Sequence, residues 1–265
     1  MPHRVGAPGG RRGSHGDRTV SDTGAGSRPG RDADVTVAGP ASGVRSEQSS
    51  TASDAPTVVL ASASTGRLSV LRGAGLDPVV LVSGVDEDAL IARHAGAEPE
   101  DLVAALAEAK AEAVVRDHHD AEALVDAVVI GGDSMLLLDE ALQGKPHTRD
   151  EALRRWEAQA GRTGTLLSGC AVLRVREGNV AGRAGATAAT AVRFGTPSID
   201  EITAYIDSGE PLGVAGAFTI DGLGGWFVER IDGDPSCVVG LSLPLLRRLL
   251  AENGISVTDL WRTPC

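Results

Sequence analysis

Hydrophobic and polar positions divide the 265-residue chain into two unequal parts. Up to about residue 55 there is no apolar run, only Gly, Ser, Arg, Asp and Pro with scattered valines. Such a stretch cannot bury enough surface to offset the entropy of ordering it. Residues 1–55 are therefore expected to be a disordered N-terminal extension, or the product of a start codon placed too far upstream. From Thr57 the pattern changes. "TVVLAS" is a β-branched run, and "TGRLSVLRGAGL" sets Leu68 and Leu71 three apart before closing glycines, which reads strand, turn, helix. "DPVVLVSG" predicts a second strand. "EPEDLVAALAEAKAEAVVRDHHDAEALV" places Leu102, Leu106, Ala109 and Ala113 at helical spacing, so a long amphipathic helix is expected there, with His118 and His119 at its solvated end.

"DAVVIGGDSMLLLDEALQGKP" reads as two apolar runs around Asp139 and Glu140. Thr148 is the expected cap of a helix over "RDEALRRWEAQ", and Ser198 of another over "IDEITAYID". Between them lie two β-rich stretches, "TGTLLSGCAVLRVREGN" and "VAGRAGATAATAVRFGTP". The remainder holds a glycine-rich, strand-like segment, "AGAFTIDGLGGWFVERIDGD", and a last helix, "LPLLRRLLAENG", ended by Gly254. Helices and strands alternate, with hairpins mixed in. The expected fold is therefore α/β, one domain over 56–265 built on a mixed central β-sheet flanked by helices. Its length of about 210 residues is enough for one well-buried core.

Composition sharpens this picture at three points. The net charge of -11 sits almost entirely outside the first 55 residues, and a field of that sign disfavours nonspecific binding to nucleic acid. A polyanionic substrate would have to be met by local, placed cations. Cys170, Cys237 and Cys265 are far apart with no C-x-x-C pair, which points to neither a disulfide framework nor a zinc site and fits a reducing cytoplasm. No stretch has the 18 or more apolar residues of a membrane span, and Asp17, Asp22, Asp32 and Asp34 interrupt what could otherwise resemble a transit peptide.

The third point concerns lysine. Lys110 and Lys145 are the only lysines among 25 basic Lys and Arg residues. A chain that writes its cations as arginine keeps lysine where a compact, rotatable charge is needed. A hairpin centred near Asp139 would set Asp133 and Lys145 opposite one another on paired strands, an acid and an ammonium together. For Lys110, a solvated helix face beside Glu108 and Glu112 is the competing reading.

Other candidates come from the ends of predicted strands. "LASASTGRL" puts two serines and Arg67 where a strand hands over to a helix, a place that attracts phosphate; the bland reading is that Ser64 caps the helix and Arg67 is solvated. "GVDEDAL" supplies Asp86, Glu87 and Asp88 after the next strand. Five glycines between Leu212 and Trp226 suggest a backbone that approaches a ligand closely, with plain loops as the competing reading.

Taken in order, "LASASTGRLSVLRGAG", "DEDAL", "LAEAKAEAV", "IGGDSMLLLD...GKP", "GR" followed by "SG", "EITAYIDSGEP", "AGAFTIDGLGGWFV" and "VVGLSLPLL" resemble the motifs of the Maf family. These are septum-formation-inhibitor-like nucleoside triphosphate pyrophosphatases, and the resemblance spans about Val58 to Leu250. It implies a Maf/ITPase-like fold with a substrate cleft. It also implies cleavage of a nucleoside triphosphate between the α- and β-phosphorus atoms with a divalent metal, Mg²⁺ or Mn²⁺. By position, Asp133 resembles the catalytic proton acceptor and Glu87 a metal- or water-positioning acid, so that both are implied metal ligands. Lys145 and Lys110 resemble the cations on the triphosphate. Ser62 and Arg67 correspond to contacts on the phosphates, Ser134 to a further substrate contact, and Asp221 to a contact on the base.

Departures from the family pattern are Thr65-Gly66 in place of Pro-Arg, Asp221 in place of Gln, Leu167-Ser168 before the glycine, and Glu140 and Gln143 in the hairpin. The implied enzyme is cytoplasmic, acts on a nucleotide, including modified ones, and engages neither nucleic acid nor membrane; a homodimer is left open. The alternative is a nucleotide-binding regulator of cell division with little or no hydrolysis, which the missing arginine at Gly66 brings into view.

Overall fold

A computed structural model describes residues 55–262. The expectation for the N-terminal extension falls outside the described residues apart from its last position, as does Cys265.

Two- to sixteen-residue strands form one mixed, seven-stranded sheet. β1 (Thr57–Ala61) is central to its parallel part. It pairs on one side with the short β2 (Val79–Val80) and on the other with β3 (Asp126–Leu138). β3 then runs antiparallel to β5 (Thr163–Arg176), β5 to β6 (Asn179–Phe194), and β6 to β7 (Val228–Asp232). The remaining strand, β4 (Ala141–Gln143), is the return arm of a hairpin on the far half of β3.

Because side chains alternate along a strand, the central strands feed two cores. Val58, Leu60, Val128 and Ile130 pack with Leu71 of α1 (Thr65–Gly73) and with Leu245, Leu246 and Leu249 of α7 (Leu243–Glu252). The intervening residues Val59, Ala61 and Val129 pack against Ala107, Ala111 and Val114 of α3 (Pro99–Asp117) on the other face. A third core gathers most of the chain's few aromatic rings. Trp156 of α4 (Arg149–Gln159) meets Phe194, Tyr205 of α5 (Ile199–Asp207) and Phe227 edge-on, with centroids 5.7–5.8 Å apart. Phe218 packs edge-on against Phe194.

Local signals act as expected at several helix starts. The side chains of Ser64, Thr148 and Ser198 accept bonds from the third residue onward, Ser198 within a complete capping box with Glu201. Two short helices lie outside the sequence reading: α2 (Glu87–Arg93), capped by Asp86, and α6 (Pro235–Val239), capped by Asp234.

Two expectations are corrected. Only Val228–Asp232 of the glycine-rich segment is strand; Ala215–Ala217 and Leu223–Phe227 are single 3₁₀ turns. The organising group is Glu210, whose carboxylate accepts from Thr219 Oγ1 at 2.5 Å, Leu223 N at 3.0 Å and Gly224 N at 3.1 Å. A Cβ on Gly222 would come within 2.8 Å of that carboxylate, and one on Gly224 within 2.5 Å of Tyr205 Oη. These two glycines therefore serve close approach to the protein's own acid and ring, not to a ligand.

The hairpin is also shifted. Asp139 and Glu140, with φ of 49° and 64°, form a two-residue turn, and Leu138 pairs with Ala141. The pairing ends at Leu136 with Gln143, so Asp133 and Lys145 are not cross-strand partners.

Candidate active site

β1 ends at Ala61, opposite Gly131, and β4 begins to pair only at Leu136. In the interval, residues 132–135 keep β5 as a neighbour on one edge and have no ladder partner on the other. This gap lies beyond the carboxyl end of β1, where the partner of β3 switches from a parallel to an antiparallel strand. Open α/β sheets bind ligands at such switch points. A cavity of about 450 Å³ occupies it.

The eight residues to which the family resemblance gave roles line this one cavity, whereas Asp86 and Asp88, singled out beside Glu87, do not. Ser62 and Arg67 come from the β1–α1 junction, Glu87 from α2 and Lys110 from α3. Asp133 and Ser134 come from the gap in β3, Lys145 from the segment after β4, and Asp221 from the glycine-rich turns.

Lys110 lies on the buried stripe of α3 with Val103, Leu106, Ala107 and Val114, so its stem packs in the core while its tip reaches the gap. Its Nζ donates to Asp133 Oδ1 at 2.5 Å and pairs with Glu87 Oε1 at 2.9 Å. Glu108 and Glu112, the partners of the competing surface reading, instead pair with Arg183 on β6. Lys110 and Asp133 are buried, at 8% and 6% exposure, whereas the Glu87 side chain is half exposed. Partial burial acts to raise the Glu87 carboxyl, but the hydrogen bond and charge of Lys110, with Lys145 and Arg67 further off, hold it below the ordinary glutamate value.

Arg67 is fixed on the opposite face of β3. Its Nε donates to the Gly240 carbonyl, Nη1 to Ser62 Oγ and Nη2 to Ser134 Oγ, each at 2.9 Å. The bland reading of this stretch was half right: Ser64 does cap α1, but Arg67 is buried, not solvated. Burial lowers the guanidinium's pKa, with Asp133 and Glu87 acting the other way; an arginine nonetheless remains charged near neutrality. Three of its five N–H groups are engaged, so two remain for a ligand.

The far end of the cavity is less polar, formed by Leu166, Val214, Phe218 and Val238, with Asp221 at its rim. The cavity thus joins a cluster of paired charges to an apolar patch, the mixed lining common to small-molecule sites. Among the described residues, Cys170 and Cys237 are free and buried and neither lines the cavity, and burial pushes the Cys170 thiol up to about 12.

Residues 57–253 match a protein-family model described as Maf-like protein. The chain belongs to the Maf family. Among curated Maf relatives, the nucleoside triphosphate pyrophosphatase of Rhodococcus opacus (strain B4) is 58% identical over 210 residues, 77% of this chain and 96% of the relative. A protein of the same name from Mycolicibacterium vanbaalenii is 57% identical over 206 residues, covering 77% and 98%. Another, from Nocardia farcinica, is 56% identical over 209 residues, covering 78% and 98%.

Several departures from the Maf pattern now have physical readings. A Cβ on Gly66 would stand 2.8 Å from the Val239 carbonyl, so α1 and α6 pack too closely here for a side chain. Leu167 and Ser168 are fully buried and do not line the cavity, so the difference there concerns the core. Glu210 and Gly240 were not singled out from the sequence. "SGEP" and "VVGLS" signal a turn and a helix end, but nothing in them says which side chain the turn surrounds or which guanidinium the carbonyl holds.

Proposed function

We infer that the chain is a nucleoside triphosphate pyrophosphatase, releasing pyrophosphate and a nucleoside monophosphate. The observation that carries this is the meeting of Asp133, Lys110, Lys145 and Arg67 in the gap of β3, within a chain that matches the named relatives over nearly their whole length. Water adds to the α-phosphorus, the bond from that phosphorus to the bridging oxygen breaks, and pyrophosphate leaves. Asp133 accepts the proton of the attacking water. Lys110, Lys145 and Arg67 neutralise the charge that develops on the leaving group, while Ser62 and Ser134 fix Arg67 and offer hydroxyls to the phosphates. Val214 and Phe218 exclude water around the base, and Asp221 meets a donor on its edge.

The donor set fits Mg²⁺ or Mn²⁺. Asp133 and Glu87 already converge on one cation, the Lys110 ammonium, and two hard carboxylates completed by phosphate oxygens and water are the usual environment of these ions. Asp133 and Glu87 would hold the ion, which when bound supplies charge neutralisation and lowers the pKa of water.

Nucleoside triphosphates form a cytoplasmic pool, and a cytoplasmic site of action follows from that substrate. Among the described residues no helix is long and apolar enough to cross a membrane. All eight candidate residues come from one chain, so a homodimer would add none of them. The packing of α1 on α6 accounts for the absence of a side chain at Gly66, and the alternative of a binding-only regulator is separated from the enzyme by turnover. Pyrophosphate release over a panel of ordinary and modified triphosphates, with and without Mg²⁺ or Mn²⁺, tests the reading; tight binding with no release from any of them would refute it.

A further inference from the structure

Within the cavity the charges are balanced before any substrate arrives. Arg67, Lys110 and Lys145 face Glu87, Asp133 and Asp221, three cations against three carboxylates. Among the described residues there is no group of three or more His, Cys, Asp or Glu that could hold a metal ion. The two carboxylates that converge do so on Lys110, at 2.5 and 2.9 Å. An ammonium at hydrogen-bond distance from both acids occupies the position that a divalent cation shared by them would need, and like charges so close repel. Arginine could not take this place and leave it easily; lysine, with a compact charge on a jointed stem, can.

We propose that Lys110 gates the divalent-cation site. With no nucleotide present its ammonium ties Asp133 to Glu87 and keeps the pair from binding a cation on its own. A triphosphate supplies new acceptors for Lys110 and completes the ligand set, so the cation and the polyphosphate bind together and each strengthens the other by the same factor. The pairing also keeps Asp133 ordered and charge-compensated between turnovers. The proposal rests on the pyrophosphatase reading, and its consequences are separable from it.

The test is Mn²⁺ binding, followed by loss of the free-ion electron paramagnetic resonance signal, to wild type and to Lys110→Met, which keeps most of the stem and removes the charge. Without added phosphate, Lys110→Met is expected to bind Mn²⁺ at least about tenfold more tightly than wild type. Tripolyphosphate, a probe that needs no choice of base, is expected to tighten Mn²⁺ binding to wild type by a similar factor, after subtraction of Mn²⁺-tripolyphosphate without protein. Equal affinities of wild type and variant for Mn²⁺ alone overturn the gate. Should the variant fail to fold, wild type decides the matter: Mn²⁺ binding that tripolyphosphate leaves unchanged overturns it too. Pyrophosphate release by wild type is scored separately. Release with ungated Mn²⁺ binding removes only the gate, and absence of release removes the enzymatic reading while the two Mn²⁺ titrations still judge Lys110.

Discussion

Gly131 and Gly132 are consecutive on β3 and face opposite sides of the sheet, so the same methyl group added at each should have different consequences. At Gly131 a Cβ would lie 2.1 Å from the Ala107 carbonyl oxygen and 3.0 Å from Ala111 Cβ. The obstacle is the backbone of α3, which has to move as a whole. Overpacking of this kind costs about 1–3 kcal/mol, and in a domain of this size each kcal/mol lowers Tm by about 2–4 °C. At Gly132 a Cβ would lie 2.8 Å from Arg67 Nε and 3.0 Å from Cδ. Here the obstacle is a jointed side chain that can swing away. Moving it gives up hydrogen bonds to Gly240, Ser62 and Ser134, and takes the guanidinium off the position from which, in the proposed reaction, it would meet phosphate.

One misplaced charge-assisted contact is worth about 1.5–3 kcal/mol, or roughly a 10- to 100-fold loss in kcat/KM. Calorimetry and steady-state pyrophosphate release on the two variants separate these effects. Gly131→Ala should melt several degrees lower. Gly132→Ala should also melt lower, because a buried arginine gives up hydrogen bonds, but unlike Gly131→Ala it should lose most of its activity even where it remains fully folded. Wild-type kcat/KM in Gly132→Ala would refute the placement of Arg67 as a substrate-binding group.

Asp133→Asn should lower kcat by about 10²–10⁴-fold with a much smaller change in KM, the mark of a lost proton acceptor; single-turnover kinetics with a bound-substrate readout check it. Glu140→Gly should stabilise the protein by about 1 kcal/mol, measured by urea unfolding, with turnover unchanged, because Glu140 sits at a φ of 64° that a two-residue hairpin turn normally assigns to glycine. Glu210→Gln should lower stability by about 1–2 kcal/mol at neutral pH. Bonds from Thr219, Leu223 and Gly224 hold the Glu210 carboxyl below its ordinary value against the opposing effect of burial. Its contribution is therefore full above the unfolded-state value of about 4.3 and fades as pH falls through the lower folded-state value, so the melting curves of wild type and variant should converge below about pH 4.

What could be read from the sequence was whatever depends on neighbours in the chain. The caps at Thr148 and Ser198 and the spacing of Leu102 and Leu106 are local chemistry, and they place α3, α4 and α5. The lysine bias was informative for a different reason: the ammonium of Lys110 is held by two acids whose positions in the sequence are far from it. Register was misjudged because Asp139 and Glu140 both adopt positive φ without a glycine to announce it, which puts the turn between them rather than on Asp139. The glycine-rich segment was misjudged for a related reason. Gly222 and Gly224 answer to Glu210 and Tyr205, contacts across a loop whose path no periodicity encodes.

The position of the site follows from the unequal lengths of three strands. β3 has 13 residues and β5 has 14, but β1 has only 5, so the long pair continues past the end of its parallel neighbour. Side chains on the overhang alternate between faces as on any strand. Asp133 therefore turns towards α3 and finds Lys110, while Gly132 and Ser134 turn towards α1 and accommodate Arg67. A single strand thus holds Asp133, the proposed proton acceptor, on one face and the arginine's anchor on the other, with the unpaired edge between them open to the cavity. Lengthening β1 by two or three residues would pair that edge and fill the gap with backbone. The short strand is what makes room for a substrate, and a chain with a net charge of -11 can admit a polyanion there because its only two lysines and a buried arginine all face this opening.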